Sequence, residues 1–367
     1  MSDRSAWSEA IRLSFGRWRI AILVLLPGAV LAGALRINPV IVFAAAALAL
    51  VPLASLLGEA TEQLAGHVGA TAGGLLNATL GNMTELIFGV IALRQGHVEV
   101  VKASLSGSII GNLLLVFGLA AFLGGLGREK LTFNRVAVGA NTSMLFLAVV
   151  ALVMPALFQL SVSGTLESTG LKIERLSLWT AAVLLVSYLS SFVFIFRTHR
   201  SVFRGESFMP PSIGKWTALI VLVVAAVLIA VASEILVRQI EAVTRVLGWT
   251  ELFVGLVIVA TAGNAAEHSS AVTMARKDKM DLALNIAIGS SAQIALFVAP
   301  LLVVLSEAGP HPMSLVFHPL EVAAVVFSVG VVTVAAIDGE THWFEGLQLL
   351  GVYVILAVFF YFLPARY

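Results

Sequence analysis

The sequence predicts an all-α integral membrane protein with eleven transmembrane helices: one N-terminal helix, then two inverted five-helix repeats. Three observations lead there. Hydrophobic residues make up 59% of the 367 residues, charged residues 12%, and the mean hydropathy is +1.00. A soluble domain is about 45–50% apolar and about 25% charged. Apolar runs of roughly 20 residues, long enough to cross a hydrocarbon core, recur along the whole chain. Finally, Gly81-Asn82-Met83-Thr84-Glu85 returns as Gly263-Asn264-Ala265-Ala266-Glu267, an offset of 182 residues from 82 to 264 and from 85 to 267. The same offset carries Gly107-Ser108 onto Gly289-Ser290.

The runs lie near 19–36, 39–57, 70–93, 103–126, 136–160, 177–196, 216–237, 251–275, 281–306, 318–338 and 345–363. The tail before Arg19 lacks a small-residue cleavage pattern, so the first run is retained as a helix. Residues 1–37 read as a tail with a peripheral helix and 38–200 as the first repeat. Residues 201–215, containing Pro210 and Pro211, read as the loop between halves, and 216–367 as the second repeat. Fourteen of the 22 Lys and Arg side chains fall on one side of such a chain: Arg4, Arg12, Arg17, Arg19, Arg128, Lys130, Arg135, Arg197, Arg200, Arg204, Lys215, Arg276, Lys277 and Lys279. That bias places the N-terminus in the cytoplasm and the C-terminus outside. The two motifs sit in the third and eighth runs. Five crossings reverse direction through the membrane, so the repeat is inverted, the architecture in which transport sites form at mid-membrane between halves.

Glu85 and Glu267 fall about fifteen and sixteen residues into their runs, near the bilayer midplane. A charge there costs at least about 2.5–3.5 kcal/mol, so such residues line polar cavities and mark ion or proton pathways. On a helix each acid shares a side with the amide three positions earlier, Asn82 or Asn264. Two carboxylates, two amide oxygens and the hydroxyls of Ser108 and Ser290 make an all-oxygen set. Such a set suits Ca²⁺ or Mn²⁺, and two negative charges balance one divalent cation. Gly81 and Gly263 let the helix loosen and offer the carbonyls of Ala78 and Ala260 as further ligands, although close helix packing explains glycine equally well. Gln293, one turn beyond Ser290, adds an amide; its counterpart by the repeat is Gly111, so the halves are not identical. His268, where the first half has Leu86, is read as a proton relay, a ligand or a neighbour's hydrogen-bond partner. Asn112 is read as a helix–helix hydrogen bond, with contact to the ion as the lesser alternative. Glu59, Glu62 and Glu234 lie near the ends of their runs as candidates for an access pathway, with simple solvation as the plainer reading. Asp338, Glu340 and Glu345 read as a solvated loop.

Some classes are excluded. Without cysteine there is no disulfide and no thiolate chemistry. A net charge of +1 gives no footprint for nucleic acid. The partners expected are the lipid bilayer and the transported cations; no cofactor is expected, and nothing fixes an oligomeric state. An intramembrane hydrolase would need a motif such as HExxH, and none is present.

The segments GNMTELIFGVIAL, GNAAEHSSAV, SGSIIGNLLLVFG and KMDLALNIAIGSSAQIALFVAPLL resemble the cation/proton exchangers of the Ca²⁺/cation antiporter superfamily. The resemblance runs from about Gly58 to near the C-terminus. It implies exchange of cytosolic Ca²⁺ for protons, with Glu85 and Glu267 as the ion-binding acids and Asn82, Asn264, Ser108, Ser290 and Gln293 around them. The short tail and the basic stretch between halves depart from eukaryotic vacuolar members, whose acidic linker and long regulatory tail are missing; the form resembles a prokaryotic plasma-membrane protein. The Na⁺/Ca²⁺ exchangers of the superfamily are the alternative. They usually carry hydroxyl residues where Asn82 and Asn264 stand and an acid where Ile294 stands, so the resemblance favours proton coupling. Desolvation and mutual repulsion both oppose a doubly charged pair of glutamates, so protons and Ca²⁺ are expected to compete for one site.

Overall fold

The computed structural model describes residues 19–163, 171–199 and 211–364. The expectations for the N-terminal tail, including Arg4, Arg12 and Arg17, and for Arg200, Arg204 and Pro210 between the halves lie outside the described residues. The helices are α1 (Arg19–Ala34), α2 (Pro39–Val68), α3 (Ala70–Leu80), α4 (Met83–Arg94), α5 (Val98–Gly125), α6 (Arg135–Ser163) and α7 (171–198) in the first part of the chain. The second part holds α8 (Lys215–Leu247), α9 (Glu251–Gly263), α10 (Ala265–Arg276), α11 (Met280–Ser306), α12 (Pro319–Ala335) and α13 (Trp343–Tyr361).

Each predicted apolar run carries helix. By length and composition, eight helical segments among the described residues qualify as membrane spans, and a ninth is the bent pair α9–α10. The N-terminal helix and α12 are shorter apolar helices.

Two boundaries differ from the sequence reading. Helix α2 continues to Val68 rather than 57, and α8 to Leu247 rather than 237. The apolar signal fades where charged residues begin, Glu59 on α2 and Glu234 and Arg238 on α8, but these two helices pack along one another, and that contact continues the helix past the end of the hydrophobic run. Glu59, Glu62 and Glu234 therefore lie inside long helices rather than at their ends. The predicted loop around Asp338 contains a strand: β1 (Leu131–Thr132) pairs antiparallel with β2 (Glu340–Thr341), and Lys130 Nζ lies 2.6 Å from Glu340 Oε2.

The centre of the molecule is α5 and α11, whose apolar windows are 78% and 72% buried within the protein, against 17% for α7 and α13 on the periphery. Helix α5 crosses α9 at very short range. A Cβ on Gly107 would overlap the backbone of Leu256, and one on Gly255 would stand 2.6 Å from Ala103 Cβ and 2.8 Å from the Val100 carbonyl. Glycine at both positions is what lets these helices from different halves touch backbone to backbone. Both central helices contain a π-helical turn at corresponding places, residues 111–116 of α5 and 294–298 of α11. Such turns add a residue to the helix and redirect the side chains around them.

Candidate cation-binding site

The two repeated motifs interrupt their helices at the same residue, the asparagine, with similar backbone angles. Asn82 separates α3 from α4 with φ −97° and ψ 24°, and Asn264 separates α9 from α10 with φ −94° and ψ 7°. Each asparagine precedes the first turn of the following helix, and the acid stands in that turn, Glu85 on α4 and Glu267 on α10. The amide ends of α4 and α10 thus face their own acids and favour negative charge there. The carbonyl ends of α3 and α9 meet the same points, where the helix dipole favours positive charge.

The breaks are joined across the halves. Ser290 Oγ lies 3.1 Å from Asn82 Oδ1, and Asn264 Nδ2 donates to Ser108 Oγ at 2.7 Å. The offset of 182 exchanges these two contacts, asparagine for asparagine and serine for serine. Such reciprocity marks two halves related by a pseudo-two-fold axis.

Around this axis the two acids differ. Glu267 faces Ser290 Oγ at 3.0 and 3.1 Å and accepts from Asn112 Nδ2 at 3.1 Å. Asn112 Nδ2 also lies 3.3 Å from Ser290 Oγ, and Asn82 Nδ2 donates to Gln293 Oε1 at 2.7 Å. Glu85 reaches toward the opposite break: a Cβ on Gly263 would stand 3.8 Å from its Oε1. Asn82, Asn264, Asn112, Ser108 and Ser290 are buried, whereas Glu85, Glu267 and Gln293 are half-buried. Two buried amide oxygens, Asn112 Oδ1 and Asn264 Oδ1, have no hydrogen-bond donor among the described residues. A buried acceptor without a donor is costly. Oxygens of that kind suit a hard cation.

Asn82, Glu85, Asn264, Glu267, Ser108, Ser290 and Gln293 converge on the two breaks. The Ala260 carbonyl accepts both the backbone N–H of Asn264, at 3.1 Å, and its side-chain amide, at 2.8 Å. The Ala78 carbonyl accepts the Tyr188 hydroxyl at 3.1 Å. Both carbonyls proposed as ligands therefore carry a partner here. His268 is half-buried on α10 directly after Glu267. Glu234 accepts from Gln95 Nε2 at 2.9 Å and pairs with Arg238, Glu59 is half-buried and Glu62 exposed. None of the three bonds to the paired motifs.

Asn112, read as a helix–helix hydrogen bond, makes such bonds from α5 to Glu267 on α10 and Ser290 on α11. Two contacts escaped the sequence reading. Tyr188 on α7 meets Ala78, and Tyr353 on α13 lies 3.4 Å from Thr261, beside Ala260. These tyrosines come from the last helix of each half and approach equivalent places. Their spacing is 165 residues, so a search at 182 passes them by.

A nearly all-helical membrane protein whose halves meet through paired acids, amides and hydroxyls at two helix breaks belongs to the class of secondary cation transporters. Comparison with known proteins gives the family: the profile of the sodium/calcium exchanger proteins matches residues 38–197 and 217–362, and the chain belongs to that family. A Ca²⁺/H⁺ antiporter of Synechocystis is 44% identical over 344 residues, covering 88% of this chain and 91% of the relative. The solved structure of native YfkE superposes with a TM-score of 0.82 at 38% identity, covering 94% of this chain and 99% of that one. The H⁺/Ca²⁺ exchanger CAX shares the fold, with a TM-score of 0.68 at 17% identity over 93% of this chain and 90% of that one.

Proposed function

We propose that this protein is a secondary antiporter that exchanges cytosolic Ca²⁺ for H⁺ by alternating access, with both ions competing for the site between Glu85 and Glu267. It is a transporter and not an enzyme. The observation that carries the reading is the reciprocal bonding of the two breaks, Asn82 with Ser290 and Asn264 with Ser108, which gathers both acids where the halves meet. Burial among apolar helices disfavours two adjacent carboxylates, and each proton bound removes one charge. A divalent cation removes both. Glu85, Glu267, Asn82, Asn264, Ser108, Ser290 and Gln293 supply the oxygens, and the Ala78 and Ala260 carbonyls join when their present partners let go. His268, next to Glu267, serves proton exchange, and Glu59, Glu62 and Glu234 draw cations toward the helices that carry the site. The same hard oxygen set admits Mn²⁺.

Two protons per Ca²⁺ would hold roughly a 100-fold Ca²⁺ gradient per unit of ΔpH, because each pH unit is worth about 1.4 kcal/mol per proton. Rocking of the segments 38–200 and 216–367 against each other would expose the site alternately to the two faces. The membrane is the plasma membrane of a prokaryote, with the N-terminus in the cytoplasm and the C-terminus outside. Proton release on adding Ca²⁺ to weakly buffered, purified protein tests the shared site. About two protons per Ca²⁺ are expected on charge balance, falling by about one in Glu85→Gln and in Glu267→Gln. Release that is unchanged in both variants would sink the shared-site reading.

A further inference from the structure

Glu321 is a carboxyl group that the cation site does not use. It stands in the first turn of α12 and is 1% exposed. One of its oxygens has a local duty: Oε2 accepts the backbone N–H of His318 at 2.9 Å, closing a cap in which His318 Nδ1 accepts from Leu320 N–H at 3.3 Å. The other oxygen faces a different helix. Oε1 lies 2.6 Å from Ser106 Oγ on α5, itself 1% exposed.

The proton count around Ser106 does not close with a carboxylate. Its Oγ lies 2.9 Å from the Lys102 carbonyl, 3.2 Å from the Ala103 carbonyl and 2.6 Å from Glu321. A serine hydroxyl owns one proton and accepts through its lone pairs. Facing three acceptors, it can satisfy the helix or the carboxylate. If Glu321 brings its own proton, each group is used once. Glu321 Oε1–H donates to Ser106 Oγ, Ser106 donates to the Lys102 carbonyl, and Oε2 remains the acceptor of the cap.

The charges nearby agree with that count. Lys102, 2% exposed, is engaged by Glu99 at 3.1 Å. Among the described residues no Lys, Arg or His nitrogen comes within ion-pairing distance of Glu321. The ionisable groups that face it are Lys102 and Glu99 of α5 and His318 of its own cap. Of the other helices packed on α12, α6 brings only Arg135, which sits against Gly339 beyond the opposite end of α12, and α13 brings Glu345, Tyr353 and Tyr361. A carboxylate buried to this degree without a partner cation is strongly disfavoured.

We propose that Glu321 is a proton-binding site separate from the paired glutamates. Its proton, shared with Ser106, seals the contact between α5 and α12 and stays in place whether or not Ca²⁺ is bound. Raising the pH strips it and leaves an unpaired charge between the two helices, so the contact opens and transport falls. The proposal rests on the competition between Ca²⁺ and protons at Glu85 and Glu267 only in that Ca²⁺ clears those two protons and not this one.

Infrared spectroscopy of the protonated carboxyl C=O band tests this on the full-length protein in liposomes, Ca²⁺-free and Ca²⁺-saturated. The expected result is a band that survives Ca²⁺, disappears in Glu321→Gln and shifts in Ser106→Ala. Gln at 321 keeps a donor for Ser106 and an acceptor for the cap, so this variant should melt near the wild type. One pH unit above the titration about a tenth of the wild type keeps the proton, so Glu321→Gln should then transport up to about 10-fold faster than the wild type. A Ca²⁺-saturated band identical in wild type and Glu321→Gln would overturn the proposal. So would failure of Glu321→Gln to fold, since an amide cannot replace a carboxylate that accepts on both oxygens, and so would an unshifted band in Ser106→Ala. If Ca²⁺ leaves the total band unchanged while Glu321→Gln still removes one component, the paired-glutamate reading fails and the Glu321 site stands.

Discussion

The two halves of the site begin from the same five-residue pattern and end in different states. In the second half Glu267 is held by Ser290 and Asn112, and its helix pair bends by 56° at Asn264. In the first half residues 72–94 stay straight enough to count as one span across the Asn82 break, and Glu85 points at Gly263 without a comparable set of donors. The difference originates outside the five-residue motifs. Asn112 and Gln293 each lack a counterpart, since 182 residues away stand Ile294 and Gly111. A pseudo-symmetric frame thus carries one acid held by side chains of other helices and one without such side-chain partners among the described residues.

Shortening each acid should have the largest effect. Glu267→Asp should lose its bonds to Ser290 and Asn112 and weaken Ca²⁺ binding about 100-fold, at about 1.5–3 kcal/mol for a hydrogen bond to a charged group. Glu85→Asp keeps room to reach and should lose about 10-fold. Equal losses, read by calorimetric titration, would remove the distinction between anchor and arm. Next in size, Asn112→Leu should cost about 10-fold in Ca²⁺ affinity by releasing Glu267. In the Glu267→Gln background the same substitution should add little, because neighbours in one network are not additive.

The tyrosines sharpen the comparison further. The Tyr188 hydroxyl competes with a cation for the Ala78 carbonyl, so Tyr188→Phe should tighten Ca²⁺ binding about 5-fold, the worth of about one neutral hydrogen bond. Tyr353 meets only the Thr261 side chain at 3.4 Å, and Tyr353→Phe should stay within about 2-fold.

The smallest effect concerns the rim. His97, just before α5, lies 3.6 Å from Glu251 at the start of α9. The neighbouring Glu251 carboxylate holds its pKa above the ordinary imidazole value, against a burial effect that lowers it. A raised folded value means that the stabilisation is complete below the unfolded pKa and is lost as pH rises through the folded one. With Glu251 more than a third exposed, the pair should contribute well under about 1 kcal/mol. Thermal melts across the neutral range should show this slope in the wild type and not in His97→Gln.

Much of the site was legible because its residues recur at one spacing. Glu85 and Glu267, costly in an apolar span, needed no fold to be noticed, and the offset joined them to Asn82, Asn264, Ser108 and Ser290. Reciprocal pairing then required only that the halves meet. What stayed hidden depends on packing between helices. Asn112 becomes a partner of Glu267 only when α5 lies against α10, and Glu321 becomes buried only when α12 covers α5. The tyrosines escaped because α6, with 29 residues, is longer than its counterpart α12, with 17, which shifts the numbering of the last helix in each half. The lengths of α2 and α8 were underestimated for a related reason: contact between helices carried them past the last apolar residue.

The central claim is that protons and Ca²⁺ contend for the site between Glu85 and Glu267. The most direct measurement is uptake of radiolabelled Ca²⁺ into proteoliposomes under an imposed ΔpH with no Na⁺ present, comparing wild type with Glu267→Gln. The account predicts uptake that follows ΔpH in the wild type and collapses in the variant. Uptake that appears only when Na⁺ is supplied, or that persists in Glu267→Gln, would contradict it.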